Sequence, residues 1–176
     1  MDEDSSTIRV NKFPVAYHIT IRCYGTRLLG DEAGSVHHGD NYPGTPILPH
    51  KPGLKCYEEE IMNQQPYEMD VVRRQIVLET AKEICNYRGW TLYAAHVRLN
   101  HWHIVLQAMC PPEKVMNDLK AYASRNLNRA GLDSKRRKRW ARHGSTKYKW
   151  TEHDVEDAIN YVIREQGEML EYYEKL

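Results

Sequence analysis

The pattern of apolar and polar positions predicts β-strands in three parts of the chain. The first part covers residues 15–24, and the second covers residues 90–97 and 101–109, which are separated by a short turn. Both are rich in β-branched, aromatic and other apolar residues, which favour strands. A shorter strand is predicted at residues 145–150, where polar and aromatic residues alternate.

Two segments between these strands repeat apolar residues every three or four positions, which predicts amphipathic helices. The first covers residues 69–88 and ends before Gly89, because glycine commonly follows the last residue of a helix. The second opens at Pro111 and Pro112 and ends near Gly131. Each helix presents one apolar face for packing on a sheet.

A third helix is predicted after Thr151, because Thr151 and Asp154 match the spacing of a capping box. Its apolar face consists of Val155, Ala158, Ile159, Val162 and Ile163. The order strand, helix, strand, strand, helix, strand, helix predicts an α+β fold in which helices pack on one face of a sheet. Residues 25–66 are rich in Gly, Pro, Asn and His without periodicity, which predicts a long loop or insertion.

Composition agrees with one domain spanning residues 1–176. The chain is 41% hydrophobic and 28% charged, as is usual for soluble globular proteins. No apolar run approaches the roughly 20 residues of a membrane span, and the acidic start has no apolar stretch of the kind found in signal peptides. Because no Cys-x-x-Cys pair is present, a zinc ribbon is excluded and a cytoplasmic location is expected; the cysteines are Cys23, Cys56, Cys85 and Cys110.

Charge is distributed unevenly, although the formal net charge is only +1. Residues 114–149 contain twelve lysines and arginines against two aspartates, and residues 152–176 are strongly acidic. A basic block is either an ordinary solvated face or a surface for a polyanion such as DNA or RNA. Candidate phosphate contacts are Lys120, Arg125, Lys135, Arg136, Arg137, Lys138, Arg139, Lys147 and Lys149. Trp140, Tyr148 and Trp150 lie among them and favour single strands, because aromatic rings stack on unpaired bases.

His101 and His103 are two positions apart in a predicted strand, so both side chains point to the same face. Trp102, on the other face, points into a core. Neighbouring imidazoles can share a divalent metal, although two histidines on a half-exposed strand also occur by chance. Two histidines need a third ligand from elsewhere in the chain.

The third helix offers that ligand. Tyr161 and Glu165 are four residues apart and border its apolar face. A carboxylate oxygen suits Mg²⁺ or Mn²⁺, and the tyrosine can attack a phosphodiester that the metal polarises. Such residues also commonly flank a buried helix face without any role in catalysis.

These residues together resemble the single-tyrosine HUH transposases, which include the small insertion-sequence transposases and the REP-associated tyrosine transposases. The resemblance rests on the His101-Trp102-His103 motif, on residues 119–125, on Trp140 and on Tyr161, which lies 58 residues after His103. It extends from about residue 15 to about residue 167.

The resemblance implies a ferredoxin-like antiparallel sheet, a divalent metal on His101 and His103, and Tyr161 as the nucleophile that forms a 5′-phosphotyrosine link to single-stranded DNA at hairpin repeats. The position four after the tyrosine is usually Gln or Asn in this family and is Glu165 here, so the neighbouring Gln166 is a second candidate for the third ligand. Several members are dimers in which the tyrosine helix crosses to the partner, so a homodimer is possible.

Three alternatives stay open. Tyr122 is a rival nucleophile, because it lies on a helix after the histidine pair with Asn126 four residues on. The second alternative is a domesticated, catalytically inactive nucleic-acid-binding protein of the same fold. It is supported by Glu165, which stands where the family usually has an amide. A nuclease or replication initiator of the same HUH type is a third.

Overall fold

The computed structural model describes residues 13–32, 34, 46–134 and 136–175. Within these residues, five strands form one antiparallel sheet in the order β4-β1-β3-β2-β5. The strands are β1 (Ala16–Cys23), β2 (Thr91–Val97), β3 (His101–Gln107), β4 (Trp140–Lys149) and β5 (Glu171–Glu174). The helices of the same residues are α1 (Pro52–Glu60), α2 (Val71–Arg88), α3 (Pro112–Arg129) and α4 (Glu152–Arg164).

The elements from β1 to β4, apart from α1, follow the β-α-β-β-α-β order of the ferredoxin-like fold. Their four strands lie in the order β4-β1-β3-β2, so β1 and β3 occupy the middle. The α+β class and the ferredoxin-like antiparallel sheet predicted from the sequence are therefore confirmed.

Helices α2 and α3 pack on one face of this sheet and enclose the main core. Alternate residues of β1 and β3 point to this face, and they include Ile19, Ile21, Trp102 and Ile104, which are fully buried. Burying one large apolar side chain stabilises a fold by about 1.5–3 kcal/mol. The same alternation sends the other residues of β1 and β3 to the opposite face.

Helix α4 packs on that opposite face, so the prediction that all helices share one face is wrong. Its apolar stripe, which includes Ala158 and Val162, meets Ala16, Ala94 and Val105 in a second, smaller core. This core covers only part of the face and leaves the surface around His103 open. Helical periodicity identifies which residues of a helix are buried. It does not identify which face of the sheet the helix packs on, because the apolar stripe is the same in both cases.

Several local predictions agree with the structure. Gly89 adopts a left-handed backbone (φ 67°) at the end of α2. The capping box at α4 is present: the Asp154 backbone N–H donates to the Thr151 hydroxyl, and the Thr151 backbone N–H donates to the Asp154 carboxylate, at 3.1 and 3.0 Å. Such caps depend only on neighbouring residues, which is why sequence finds them.

Three elements differ from prediction. Strand β4 begins at Trp140 rather than at 145. The strand lies at the edge of the sheet, and its first half has polar residues on both faces, so the sequence there lacks the alternation that predicts a strand. Helix α1 lies inside the predicted loop at 25–66. It has no buried residue, so its sequence carries no apolar stripe that would predict a helix. Strand β5 has only four residues. No helix in the described part of the chain is long and apolar enough to cross a membrane.

Candidate active site

A groove of about 710 Å³ opens on the α4 side of the sheet. Its walls come from β1, β3, β4, the turn after β1 and the end of α4, and they include His18, Thr20, His101, His103, Lys147 and Tyr161. The groove exists because α4 covers one end of the sheet face and leaves the other end uncovered.

His101 and His103 lie on the same face of β3, as their spacing predicts. Their ring centroids are 5.0 Å apart and the rings are nearly perpendicular. Trp102 between them points to the main core and is fully buried. Both histidines line the groove.

The ring of His103 is held by two residues of β1. Its Nδ1 atom lies 3.2 Å from Nε2 of His18 and 3.0 Å from the hydroxyl oxygen of Thr20. Sequence reasoning gave His18 no role and did not single out Thr20. Alternation places both residues on one face of β1, but their closeness to His103 follows from the pairing of Thr20 with His103 across the strands.

His101 is held by its neighbour in the chain. Its Nδ1 atom lies 2.7 Å from the side-chain oxygen of Asn100, so the imidazole N–H donates to that amide oxygen. This hydrogen bond assigns the proton to Nδ1 and leaves the lone pair of Nε2 available to a metal.

Burial keeps all three imidazoles neutral at pH 7. It lowers the pKa of His18 to about 4, with a further contribution from the charges of Lys147 and Lys149. It lowers the pKa of His101 to about 4 and that of His103 to about 3. Neutral imidazole is the form that ligates metals.

Tyr161 lies on α4 directly beside these histidines. Its ring centroid is 5.9 Å from that of His103, in an edge-on contact, and 5.7 Å from that of His18. The side chain is 40% exposed, and its hydroxyl makes no hydrogen bond with the described residues. The phenolic oxygen is thus accessible to a substrate in the groove.

The rival tyrosine, Tyr122, lies on the other side of the sheet. It belongs to α3 and packs against the main core, with the guanidinium of Arg125 4.7 Å from its ring centroid. The sheet separates it from His101 and His103, so the structure brings only Tyr161 to the histidine pair.

The two candidates for a third ligand occupy different positions. Glu165 follows the last residue of α4 with φ −108°, is exposed and does not line the groove. Gln166 lines the groove, and its side-chain amide donates to the backbone oxygen of Tyr161 at 3.4 Å. The four-residue spacing of Tyr161 and Glu165 puts both on one face only while the helix continues, and the helix ends at Arg164.

The chemistry of this donor set fits a divalent metal. Among the described residues no group of three or more His, Cys, Asp or Glu side chains is close enough to hold one. His101 and His103 are nevertheless neutral and oriented, and the side-chain oxygen of Gln166 is a hard donor of the kind that Mg²⁺ and Mn²⁺ accept. The site therefore offers two imidazoles and one amide.

Two of the predicted phosphate contacts are buried and have other partners. The ammonium of Lys120 donates to the backbone oxygens of Ala141, Arg142 and His143 at 3.0–3.4 Å. Arg139 is 4% exposed and pairs with Asp133 at 2.9 Å. Both side chains stabilise the fold and are buried, so neither reaches a phosphate at the surface, which corrects their assignment as DNA contacts.

The remaining basic candidates are more accessible. Lys147 lines the groove and Lys149, on the same face of β4, is half-buried; Arg125, Arg136 and Lys138 are exposed. Arg137 donates to Gln64 and to the backbone of Pro66, which attaches the loop before β4 to the groove rim. Lys135 lies outside the described residues.

The aromatic residues of β4 also differ in exposure. Trp140 packs on Trp102 and donates its N–H to the backbone oxygen of Lys120, so it is not free to stack on a base. Tyr148 and Trp150 are about half exposed and stack on each other, with ring centroids 6.2 Å apart. They remain candidates for contact with unpaired bases.

The fold and the site define an α+β protein with a His-hydrophobic-His motif on the central strand of its sheet and a tyrosine on a helix docked beside it. A family model described as IS200-like transposase matches residues 57–166, which include both histidines and Tyr161. The chain therefore belongs to the IS200-like transposase family.

Among solved structures, the chain is similar to a REP-associated tyrosine transposase bound to a REP hairpin. The similarity covers 86% of this chain and 66% of that one, with 8% sequence identity and a TM-score of 0.49. This chain thus spans just under two thirds of that neighbour's length. No curated protein matches the sequence.

Proposed function

We propose that this chain cleaves single-stranded DNA beside hairpin repeats and rejoins it, with Tyr161 as the nucleophile and a divalent metal, Mg²⁺ or Mn²⁺, as cofactor. The observation that carries the proposal is the contact of Tyr161 with His103, at 5.9 Å between ring centroids, in a groove open to solvent. Membership of the IS200-like transposases supports it.

The reaction exchanges one phosphate ester for another. The phenolic oxygen of Tyr161 attacks the phosphorus, the bond from phosphorus to the 3′ oxygen breaks, and the protein keeps the 5′ phosphate as a tyrosyl ester. The phenolic proton passes to water, since no described residue hydrogen-bonds the hydroxyl, and the released 3′ oxygen takes up a proton. Attack by a 3′ hydroxyl on the ester reverses these steps, so rejoining needs no ATP.

His101 and His103 are the residues that would hold the metal, with Gln166 or Glu165 as the oxygen donor. When bound there, a divalent metal supplies Lewis-acid polarisation of the scissile phosphate. The chain contributes orientation, because Asn100 fixes the ring of His101, and His18 and Thr20 fix the ring of His103.

Lys147 lines the groove from β4, and the charges of Lys147 and Lys149 both act on His18. Tyr148 lies on the opposite face of the strand from Lys147, with its ring 5.4 Å from that of Tyr17 in the main core, so it does not line the groove. Positive charge along a groove is typical of binding to a phosphate backbone. Hairpin repeats are the substrate that the family resemblance implies.

The site is assembled within one chain. Helix α4 packs on the sheet of the same chain, through Val162 and Ala158, and this packing brings Tyr161 to His103. A homodimer in which the tyrosine helix crosses to a partner is therefore not needed to complete the site.

The test is formation of a covalent protein–DNA adduct. The chain is incubated with Mn²⁺ and hairpin DNA labelled at its 3′ end, and a denaturing gel reports the adduct, because a 5′-phosphotyrosine link retains the label. Tyr161→Phe should eliminate the shifted band while DNA binding stays, since only a hydroxyl is lost. Tyr122→Phe is the matched control and should leave the band unchanged.

The opposite result would contradict the assignment. If Tyr161→Phe keeps the adduct and Tyr122→Phe loses it, α3 carries the nucleophile. If the unmodified chain binds hairpin DNA tightly but forms no adduct with any hairpin, it is an inactive nucleic-acid-binding protein of the same fold.

A further inference from the structure

Two arginines that line the groove beside the histidines have side chains without a partner among the described residues. Arg22 lies on β1, directly opposite His101 in the strand pairing, and Arg27 lies in the turn that follows β1. Neither forms an ion pair or a hydrogen bond with any of the described residues. The carboxylates of the same walls are Asp31, which pairs with Lys55 at 3.2 Å, and Glu68, which is not within ion-pair distance of either arginine.

The two positive charges are close enough to act on each other. Partial burial, together with the charge of Arg27, lowers the pKa of Arg22, and the charges of both arginines add to the effect of burial and of Arg98 in lowering the pKa of His101. Two neighbouring cations that have no counter-ion among the described residues leave a region of positive potential. Such a region binds an anion from solution.

The backbone at both positions is irregular. The pairing of β1 with β4 changes register between Ile21 and Cys23, so Arg22 lies at a bulge. Bulges re-aim side chains and are frequent next to active sites. Arg27 has φ 56°, in the left-handed region that favours glycine over residues with a side chain.

The turn that carries Arg27 is fixed to the strand that carries the histidines. The Thr26 hydroxyl donates to the backbone oxygen of Asn100 at 3.3 Å, and the Cys23 backbone N–H donates to the same oxygen at 2.8 Å. Gly25 has φ 77°, and an added Cβ there would lie 2.9 Å from Cα of Pro66. Glycine adopts this backbone without strain, whereas the left-handed backbone of Arg27 is strained, and strain of that kind is found at ligand-binding turns.

We propose that Arg22 and Arg27 form a phosphate-binding site that holds a phosphodiester of the single strand next to the one presented to Tyr161. Guanidinium groups suit this ligand, because their planar N–H groups bind two phosphate oxygens at once. A second fixed phosphate orients the strand in the groove and so sets which linkage meets the tyrosine. The inference rests on the proposed function for the identity of the ligand, but the anion site itself is a property of the two arginines.

Binding measured without metal tests the site apart from cleavage. The probe is a short fluorescein-labelled single-stranded DNA of mixed sequence, followed by anisotropy in EDTA at several salt concentrations. Arg22→Gln and Arg27→Gln should each flatten the log–log salt slope by about 0.7, and the double variant should bind about tenfold more weakly. Arg129→Gln is the matched control, because Arg129 is exposed at the end of α3, away from the groove, and its change should leave the affinity and slope unaltered.

A second variant separates loss of charge from loss of fold. Arg27→Gly also removes the charge but suits the left-handed backbone, so the melting temperature should rise by roughly 2–4 °C while binding weakens as in Arg27→Gln. A third measurement needs no DNA: inorganic phosphate should shift the Nε–Hε NMR signals of Arg22 and Arg27 and leave that of Arg129 in place.

The outcomes distinguish this site from the proposed function. If the Tyr161-dependent adduct forms but the double variant keeps the wild-type affinity and salt slope, the phosphate site is wrong and the transposase chemistry stands. If no adduct forms but both arginine variants lose salt dependence and phosphate shifts their signals, the phosphate site stands and the proposed chemistry fails. Arginine signals that phosphate does not move, together with unchanged binding by the variants, would overturn the site.

Discussion

Nε2 of His18 lies 3.2 Å from Nδ1 of His103, so a residue of the first strand contacts the metal-ligand candidate of the third strand. The contact is buried, since His18 is 4% exposed and His103 is 6% exposed. Side chains that hydrogen-bond the second nitrogen of a ligating histidine fix its ring and its tautomer. His18 is thus a positioning residue for His103 rather than a ligand itself.

Replacing His18 tests that role directly. His18→Ala should weaken Mn²⁺ binding by about 10–100-fold, as is typical when an outer partner of a ligating histidine is lost. Calorimetric titration with Mn²⁺ measures the change, and His153→Ala on the exposed surface of α4 is the control. Wild-type affinity in His18→Ala would show that Thr20 alone orients the ring.

The choice between Gln166 and Glu165 as oxygen donor is open to a paired comparison. Gln166→Ala should weaken Mn²⁺ binding more than Glu165→Ala does, because Gln166 lines the groove and Glu165 does not. The same titration reports both variants. A larger effect of Glu165→Ala would mean that the chain after α4 rearranges to bring the carboxylate to the metal.

The buried histidines should make the metal-free protein sensitive to acid. Their pKa values, about 4 for His18 and His101 and about 3 for His103, lie below the value of about 6.5 in an unfolded chain. Between pH 6.5 and 4 the unfolded state therefore binds more protons, and stability falls as the pH falls through this range.

Urea unfolding in EDTA at a series of pH values measures this effect. Each neutral histidine contributes up to about 1.4 kcal/mol per pH unit within the window. His103→Asn removes one titrating group, so its stability should depend less steeply on pH. An equal slope in the variant and the wild type would show that His103 does not contribute.

Substitution of a buried basic residue should lower stability, whereas substitution of exposed basic residues should weaken the salt dependence of DNA binding. Lys120→Met leaves three backbone oxygens without their donor and should cost about 2 kcal/mol of unfolding free energy. It should not change the salt dependence of DNA binding. Replacing Arg136, Lys138 and Lys147 with Ser should do the reverse, flattening the salt slope by about two units with little loss of stability. A change in slope from Lys120→Met in a folded protein would contradict the structural role of this lysine.

Features that depend on neighbouring residues were predictable from the sequence. The capping box at Thr151, the stop at Gly89 and the shared face of His101 and His103 all follow from local geometry, and the structure has each of them. The order of the strands and helices was sufficient for the α+β class, whereas the ferredoxin-like antiparallel sheet was predicted from the family resemblance.

Only the tertiary structure determined which residues are in contact with each other. The periodicity of α4 is identical for docking on either sheet face, and only the actual face brings Tyr161 rather than Tyr122 to the histidines. The sequence does not distinguish a solvated lysine in a basic block from one that, like Lys120, donates to backbone carbonyls in the folded chain. The partnership of His18 with His103 depends on the register of two strands more than 80 residues apart. Periodicity, capping and composition are local quantities, whereas contacts of this kind are set by long-range pairing, so only the folded chain determines them.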